Sequence, residues 1–130
     1  MRVLVCGGRD YTDQRRVAQV LAKHNSRTPF TAVLTGGASG ADELAERWAR
    51  AHQIPVETFA ADWERHGKAA GPLRNQRMLV EGRPSVVIAF PGGRGTSDMV
   101  NRATKARVPV YIIPAAEPTR PTVWNSRTPR

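Results

Sequence analysis

The sequence predicts a single α/β domain of three layers, in which a mainly parallel sheet of about five strands lies between two layers of helices. Short apolar segments alternate along the chain with longer segments whose apolar residues recur at helical spacing. Two of the apolar segments end directly in paired glycines, Gly7-Gly8 and Gly36-Gly37, which is typical of a buried parallel strand with a tight exit. Helices that cover both faces of such a sheet give a Rossmann-like architecture.

The first half of the chain supplies two strands and two helices. The apolar residues 2–6 and 32–35 are the predicted strands. Between them, residues at helical spacing predict a helix over 12–25: they are Val17, Val20, Leu21 and His24. Ser39 can cap the next helix, with Asp42 three residues further on as in a capping box. The buried stripe of that helix is Leu44, Ala45, Trp48 and Ala49.

The second half predicts three further strands and two helices. A strand over residues 56–60 follows Pro55, and residues 62–70, which lack apolar periodicity, predict a loop. Pro72 suits the first turn of a helix that runs to about residue 80. The remaining segments are a strongly apolar strand over 85–90, a helix over 97–105 and a last strand over 108–113.

The size and composition favour one domain followed by a tail. A chain of 130 residues with 40% hydrophobic residues can bury a core without disulfides or metals. We place one domain at residues 1–114 and a Pro- and Arg-containing C-terminal tail at residues 115–130, predicted to be poorly ordered. Trp124 is the exception in that tail, because an isolated aromatic residue is expected to dock, more often on its own domain than on a partner.

The cysteine and charge content indicate the expected cellular location and the expected class of partner. Cys6 is the only cysteine, so no internal disulfide can form, and the cytoplasm is the expected location. No apolar run approaches the roughly 18 residues of a membrane span, and no metal-ligand or cofactor motif is present, so we expect neither membrane nor cofactor. The net charge of +9 favours anionic partners such as nucleotides, nucleic acid or phosphorylated metabolites, unless the arginines serve only solubility.

A glycine-rich loop after the strand over residues 85–90 is the strongest candidate for a phosphate site. Its residues are Pro91, Gly92, Gly93, Arg94, Gly95, Thr96 and Ser97. Glycines let backbone N–H groups approach a phosphate closely, and the following helix N-terminus adds partial positive charge. The loop lacks the Lys of a Walker A motif, and Asp98 replaces the last glycine of G-x-G-x-x-G. The alternative interpretation is a tight turn with a helix cap and no ligand.

Two further strand ends carry candidate phosphate contacts. The first is the segment of Gly7, Gly8 and Arg9, in which Arg9 and the neighbouring Asp10 can reach a sugar or phosphate, whereas Cys6 reads as a small buried residue. The second lies after residue 35 and contains Gly36, Gly37, Ser39, Gly40 and Asp42. Asp42 is either a helix cap or a ligand contact. Because the carboxyl ends of parallel strands share one edge, these loops are expected to meet in one crevice.

A third candidate region, residues 62–77, mixes cations, an aromatic residue and hydrogen-bonding side chains. Arg74 and Asn75 fall at the start of a predicted helix, where Arg74 can bind a phosphate bidentately. Trp63 either stacks on a base or anchors in the core.

Five ordered stretches resemble the SLOG superfamily, the Rossmann-like group that includes the LOG phosphoribohydrolases and the DNA-processing protein DprA. The similarity is greatest to the YspA/YpsA-related SLOG proteins. The matching stretches are residues 6–11, 35–42, 61–63, 67–75 and 90–96. The resemblance implies a nucleotide or nucleotide-derived ligand at the glycine loops, and a homodimer or higher homo-oligomer.

The LOG enzymes cleave the N-glycosidic bond of nucleoside monophosphates with an Arg and a Glu. Carried onto this sequence, the Arg falls on Arg74 and the Glu falls on Met99, which cannot act as a carboxylate. Asp98 lies one residue earlier, turned by roughly 100° on a helix. Arg74 and Asp98 are therefore the candidate catalytic pair. An oxocarbenium-like centre needs such a carboxylate nearby.

Three hypotheses follow. The first is a protein that binds a nucleotide or nucleotide-derived ligand as a sensor, carrier or sponge, because the phosphate loops are present and the glutamate is missing. The second is an enzyme, a nucleoside-5′-monophosphate phosphoribohydrolase or N-glycosidase of LOG type. The third is single-stranded DNA binding as in DprA, supported by the net charge and the basic tail.

Overall fold

A computed structural model describes residues 1–115, and the rest of the predicted tail, including Trp124, lies outside the described residues. The strands are β1 (Arg2–Cys6), β2 (Ala32–Thr35), β3 (Val56–Thr58), β4 (Val86–Ala89) and β5 (Val110–Ile112). The helices are α1 (Gln14–Arg27), α2 (Ala41–Ala51), α3 (Trp63–His66), α4 (Ala70–Gly82) and α5 (Arg94–Lys105), with a 3₁₀ turn (Gly67–Ala69) between α3 and α4.

The five strands form one parallel sheet in the order β3-β2-β1-β4-β5, which confirms the predicted fold class. The chain order reverses between β1 and β4, where Val3 pairs with Val86 and Cys6 with Ala89. In a sheet of this order, the loops after the two strands at the reversal diverge to opposite faces and leave a crevice at their carboxyl ends. The fold therefore places the candidate ligand site between the loops that follow β1 and β4.

Two apolar clusters, one on each face of the sheet, make up the core. Val3 and Val5 of β1 point to the face covered by α1 and α2, where Val17 and Trp48 pack. Leu4 points to the opposite face, in the cluster that contains residues of α4 and α5. The alternation of side chains along β1 is what gives a strand two buried faces. Within residues 1–115 no helix combines the length and the apolar character that a membrane crossing requires.

The segment 62–70, predicted as a loop, is helical in the structure. It contains α3 and the 3₁₀ turn and leads directly into α4, which starts at Ala70. The Asp62 carboxylate caps α3 by accepting a hydrogen bond from the Arg65 N–H at 3.1 Å. A helix of four residues without a buried side chain has no apolar period, so periodicity could not reveal it.

The starts of α2 and α5 also differ from the prediction. Gly40, not Ser39, is the N-cap of α2, and the Ser39 hydroxyl donates to the Arg9 carbonyl oxygen at 3.0 Å. The capping box is therefore wrong. Helix α5 begins at Arg94 rather than at residue 97, so Gly95 and Thr96 lie in its first turn. The low helix propensity of Gly95 argues against a helix that starts at Arg94, but propensity is weak evidence at a helix end.

Candidate functional site

Glycines allow the turns after β1, β2 and β4 to pack directly on one another. The Gly8 N–H donates to the Pro91 carbonyl oxygen at 2.8 Å, and the Gly8 carbonyl oxygen accepts from the Ala41 N–H at 3.1 Å. A Cβ on Gly92 would lie 2.7 Å from the Gly8 nitrogen. Gly40 has a φ of +78°, and a Cβ there would overlap the Gly8 carbonyl oxygen. Much of the glycine pattern therefore serves the close approach of three loops.

These loops surround a cleft of about 660 Å³ at the carboxyl ends of β1 and β4. This volume lies within the usual range for small-molecule sites. The structure brings together in its lining most of the residues that the sequence singled out. They are Gly7, Gly8, Arg9, Gly36, Asp42, Arg74, Asn75, Gly93, Arg94, Gly95, Thr96 and Asp98.

Six of the sequence-predicted residues lie outside the lining of this cleft. The turn between β2 and α2 contains three of them, Gly37, Ser39 and Gly40. Pro91, Gly92 and Ser97 line a second cleft of about 300 Å³. Thr96 lines both clefts, so the glycine-rich loop separates two surfaces.

The N-terminus of α5 opens into the main cleft without a side-chain cap. The first turn of α5 holds no acidic residue, and its N-cap is Gly93. The Ser97 N–H donates to the Gly93 carbonyl oxygen at 3.0 Å, so the N–H groups of residues 94–96 precede the first bond of the helix. In contrast, the first turn of α2 contains Asp42 and Glu43. Of these two helix ends, α5 is therefore the one suited to an external anion.

Arg74 reaches into the cleft from α4 and is held there by oxygen atoms. Its Nη1 donates to the Gly36 carbonyl oxygen at 2.7 Å and more weakly to that of Phe59 at 3.4 Å. Its Nε donates to Asn75 Oδ1 at 3.0 Å, whereas Nη2 makes no hydrogen bond within residues 1–115. Burial lowers the pKa of Arg74, and Asp42 partly offsets this. The guanidinium is thus fixed in place with one nitrogen free for a ligand.

Asn75 links Arg74 to the start of α5 and is only 5% exposed. Its amide nitrogen donates to Asp98 Oδ2 at 2.9 Å and to the Gly95 carbonyl oxygen at 3.2 Å. Arg102 Nε donates to the same Asp98 oxygen at 2.8 Å. Asp98 Oδ1 accepts no hydrogen bond within residues 1–115. Asp98 is therefore an oriented carboxylate with one oxygen available at the cleft.

The floor of the cleft is apolar at the position where the LOG resemblance puts a glutamate. Met99 is 1% exposed and packs in the same core cluster as Met78. Cys6 also contributes to the lining, and burial, followed by the nearby Asp42 carboxylate, raises the pKa of its thiol to about 12. A thiol with that pKa stays protonated at neutral pH and is a poor nucleophile.

Asp42 is a buried carboxylate that holds the loop after β2. Its Oδ2 accepts from the Gly36 and Ala38 N–H groups, both at 3.2 Å. Burial raises its pKa to about 6, although these two hydrogen bonds and the charge of Arg74 oppose the shift. Asp42 thus ties the backbone of the loop after β2, and because it also lines the cleft, its contact with a ligand stays a prediction.

The lining also contains Trp63 and three residues that the sequence does not single out as site residues: Lys68, Gly71 and Pro72. Lys68 lies in the segment predicted as a loop, whereas Gly71 and Pro72 lie in the first turn of α4. Trp63 is 47% exposed, which excludes the core-anchor interpretation. The stretch 67–75 resembles the SLOG superfamily but has no apolar periodicity, so the sequence does not indicate which of its side chains face the crevice.

Comparisons with known proteins identify the family to which the chain belongs. The family model of the YspA, cpYpsA-related SLOG family matches residues 1–66. The Gene 61 protein of Mycobacterium phage D29 is 43% identical over 117 residues, which cover 84% of this chain and 93% of that protein.

A solved structure shows the same fold at low sequence identity. The X-ray structure of DNA processing protein A (DprA) from Streptococcus pneumoniae has a TM-score of 0.71 and 18% identity, covering 88% of this chain. This chain spans 50% of the length of that chain. The resemblance found in the sequence is confirmed, and the chain belongs to the YspA, cpYpsA-related SLOG family.

Proposed function

We propose that the protein binds a nucleotide or nucleotide-derived ligand in the main cleft, with a phosphate at the N-terminus of α5. The observation that carries the proposal is the uncapped start of this helix, which opens into a cleft of about 660 Å³. Free N–H groups and the helix dipole together favour an anion there. Membership of the SLOG family supports a nucleotide-related ligand.

The charged side chains of the cleft support the same proposal. Arg9, Lys68, Arg74 and Arg94 all contribute to the lining. Of the three acids there, Asp42 is tied to backbone N–H groups, Asp98 is paired with Arg102, and Asp10 is exposed. The lining thus carries four cations against three acids, two of which are already engaged within the chain. Arg94 is exposed and lies in the first turn of α5, where its charge adds to that of the helix end.

Two charge-removing variants at opposite ends of α5 test the phosphate position. Arg94→Ala and Lys105→Ala each remove one positive charge from an exposed position, about 17 Å apart along the helix axis. Isothermal titration with nucleoside monophosphates, cyclic nucleotides and ADP-ribose derivatives measures affinity. We expect Arg94→Ala to weaken the ligand that binds best about tenfold or more, because a charged hydrogen bond is lost. Lys105→Ala is expected to bind within about twofold of wild type, since its charge lies beyond a Debye length.

Either of two results would overturn the proposal. The first is that no member of the panel binds the wild-type protein at millimolar concentration. The second is that both variants lose affinity equally, because this would indicate attraction to the net charge of +9 and not to a built site.

The second candidate is an N-glycosidase acting on nucleoside 5′-monophosphates. The observation in its favour is that Arg74 and Asp98 line one cleft and are bridged by Asn75, with Asp98 Oδ1 free of hydrogen bonds within residues 1–115. A carboxylate of this kind can stabilise an oxocarbenium-like centre. Chromatography of the released base tests it. Asp98→Asn should abolish release, whereas Arg102→Gln, which removes the same ion pair but keeps the carboxylate, should retain it.

A further inference from the structure

Trp63 is a large aromatic side chain that the fold presents to the cleft and does not bury. Its ring is 47% exposed and contributes to the cleft lining. Tryptophan carries a large apolar surface, and its exposure in a concave site is typical of a binding surface.

The segment around Trp63 is built to hold the ring in place. Asp62 caps α3, and Gly67, at a φ of +54°, ends it with its N–H donating to the Trp63 carbonyl oxygen. A Cβ on Gly71 would lie 3.4 Å from Trp63 Cη2, so the edge of the ring rests over the start of α4. The backbone of α3 is therefore held at both ends, and one edge of the ring rests over the start of α4.

The face of the ring is covered by a cation that is free to leave. The Arg9 guanidinium carbon lies 5.2 Å from the ring centroid. Arg9 is exposed and forms no salt bridge within residues 1–115, so its guanidinium can move without breaking an ion pair. An exposed cation–π contact is weaker than the stacking of a base on an aromatic ring. A planar ligand can thus take this face and keep Arg9 as a second stacking group.

We propose that the ligand of this cleft carries a nucleobase that stacks on Trp63, while its phosphate lies at the start of α5. This inference rests on the proposed function and adds to it the position of the base, with Trp63 as the residue that distinguishes a nucleotide from a phosphorylated sugar. Unpaired bases are bound in proteins by aromatic side chains and by guanidinium planes, and the Trp63–Arg9 pair supplies both. The sugar then lies between the base and the phosphate, over the apolar part of the lining formed by Val5, Met78 and Met99.

The test compares two probes that differ only in the base. AMP and ribose 5-phosphate are titrated into the full chain and into Trp63→Leu and Trp63→Phe. We expect Trp63→Leu to weaken AMP about tenfold or more, and Trp63→Phe to stay within about threefold of wild type, because Phe retains a stacking face. Ribose 5-phosphate should bind all three proteins equally. Tyr111→Leu is the matched control, since Tyr111 is an aromatic residue that is 51% exposed and does not line the cleft.

Each outcome bears on one of the two proposals. Quenching of tryptophan fluorescence by AMP, lost in Trp63→Phe and absent with ribose 5-phosphate, is the second expected result. If AMP and ribose 5-phosphate bind wild type equally, or lose affinity equally in Trp63→Leu, the stacking proposal is overturned and the phosphate site stands. If neither probe binds wild type at millimolar concentration, and no other member of the nucleotide panel binds either, both proposals are overturned.

Discussion

Asp42 shows how one residue can stabilise a loop and still cost stability through its charge. Its side chain is 5% exposed, and the hydrogen bonds to the Gly36 and Ala38 N–H groups both end on Oδ2. Burial outweighs these bonds and raises the pKa of Asp42 to about 6. Ionisation of Asp42 is therefore less favourable in the native protein than in the unfolded chain, although the charged form is the one present at neutral pH.

The pH dependence of stability should reveal this residue. An unfolded aspartate ionises near pH 4, whereas native Asp42 keeps its proton up to about pH 6. The native state then binds more protons in that window, so the contribution of Asp42 to the free energy of unfolding falls by about 3 kcal/mol as the pH rises through it. In Asp42→Asn an amide oxygen can accept both hydrogen bonds without titrating. We expect the stability of this variant relative to wild type to increase by about 2 kcal/mol from pH 4 to pH 6.5, which is the larger part of the full change.

Denaturant unfolding at four pH values in this range measures the difference. Glu43→Gln is the control, because Glu43 is the exposed neighbour in the same helix turn, and its curve should run parallel to that of wild type. Parallel curves for wild type and Asp42→Asn would mean that Asp42 is already ionised at pH 4 in the native protein.

At the scale of elements, the packing of α2 on the turn after β1 depends on Gly40. Its φ of +78° is strained for any residue with a Cβ, and that Cβ would overlap the Gly8 carbonyl oxygen. Gly95 is the opposite case, because nothing lies within 4 Å of its Cβ position and it occupies the first turn of α5. Two glycines of the same cleft region thus have different structural tasks.

Alanine substitutions should separate these tasks. We expect Gly40→Ala to lower the free energy of unfolding by about 2 kcal/mol or more, through backbone strain and overlap. Gly95→Ala should leave it unchanged or raise it by up to about 1 kcal/mol, because alanine favours the helix. Chemical denaturation of both variants measures the difference. Equal losses would show that Gly95 is also required for packing.

The sequence predicts elements well where burial is continuous. The strands over residues 2–6 and 32–35 have the predicted bounds, because uninterrupted apolar runs mark strands that are covered on both faces. Helix α3 was missed since its four residues bury no side chain. Strand β3 ends at Thr58, two residues early, where its edge position leaves the side chains partly exposed.

The same reasoning explains which part of the site was predictable. Convergence of the loops after β1 and β4 follows from parallel pairing alone. The division of the glycine-rich loop between two clefts depends on the starting residue of α5, which sequence does not determine. The bridge from Arg74 through Asn75 to Asp98 joins two helices across the cleft, and such a long-range contact leaves no periodic signal in the chain.

At the scale of the whole molecule, the sheet and both apolar clusters described for residues 1–115 extend as far as residue 113. The last backbone link of the sheet region is the Ile113 N–H, which donates to the Ala89 carbonyl oxygen at 2.8 Å. Ile113 is also the last residue packed against the core clusters. The division into a domain of residues 1–114 and a tail of residues 115–130 stays a prediction. The expected homodimer and cytoplasmic location stay predictions.

A chain that ends at Ala115 should accordingly fold and bind like the full chain. We expect its Tm to lie within about 2 °C of the full-length value, because no contact of the described core is removed. Its affinity for the best nucleotide of the panel should be within about twofold, since the cleft is lined by residues 5–99. A chain that ends at Val108 is the control, because it lacks β5 and should fail to fold. A large fall in Tm or affinity for the first chain would show that residues 116–130, including Trp124, belong to the domain.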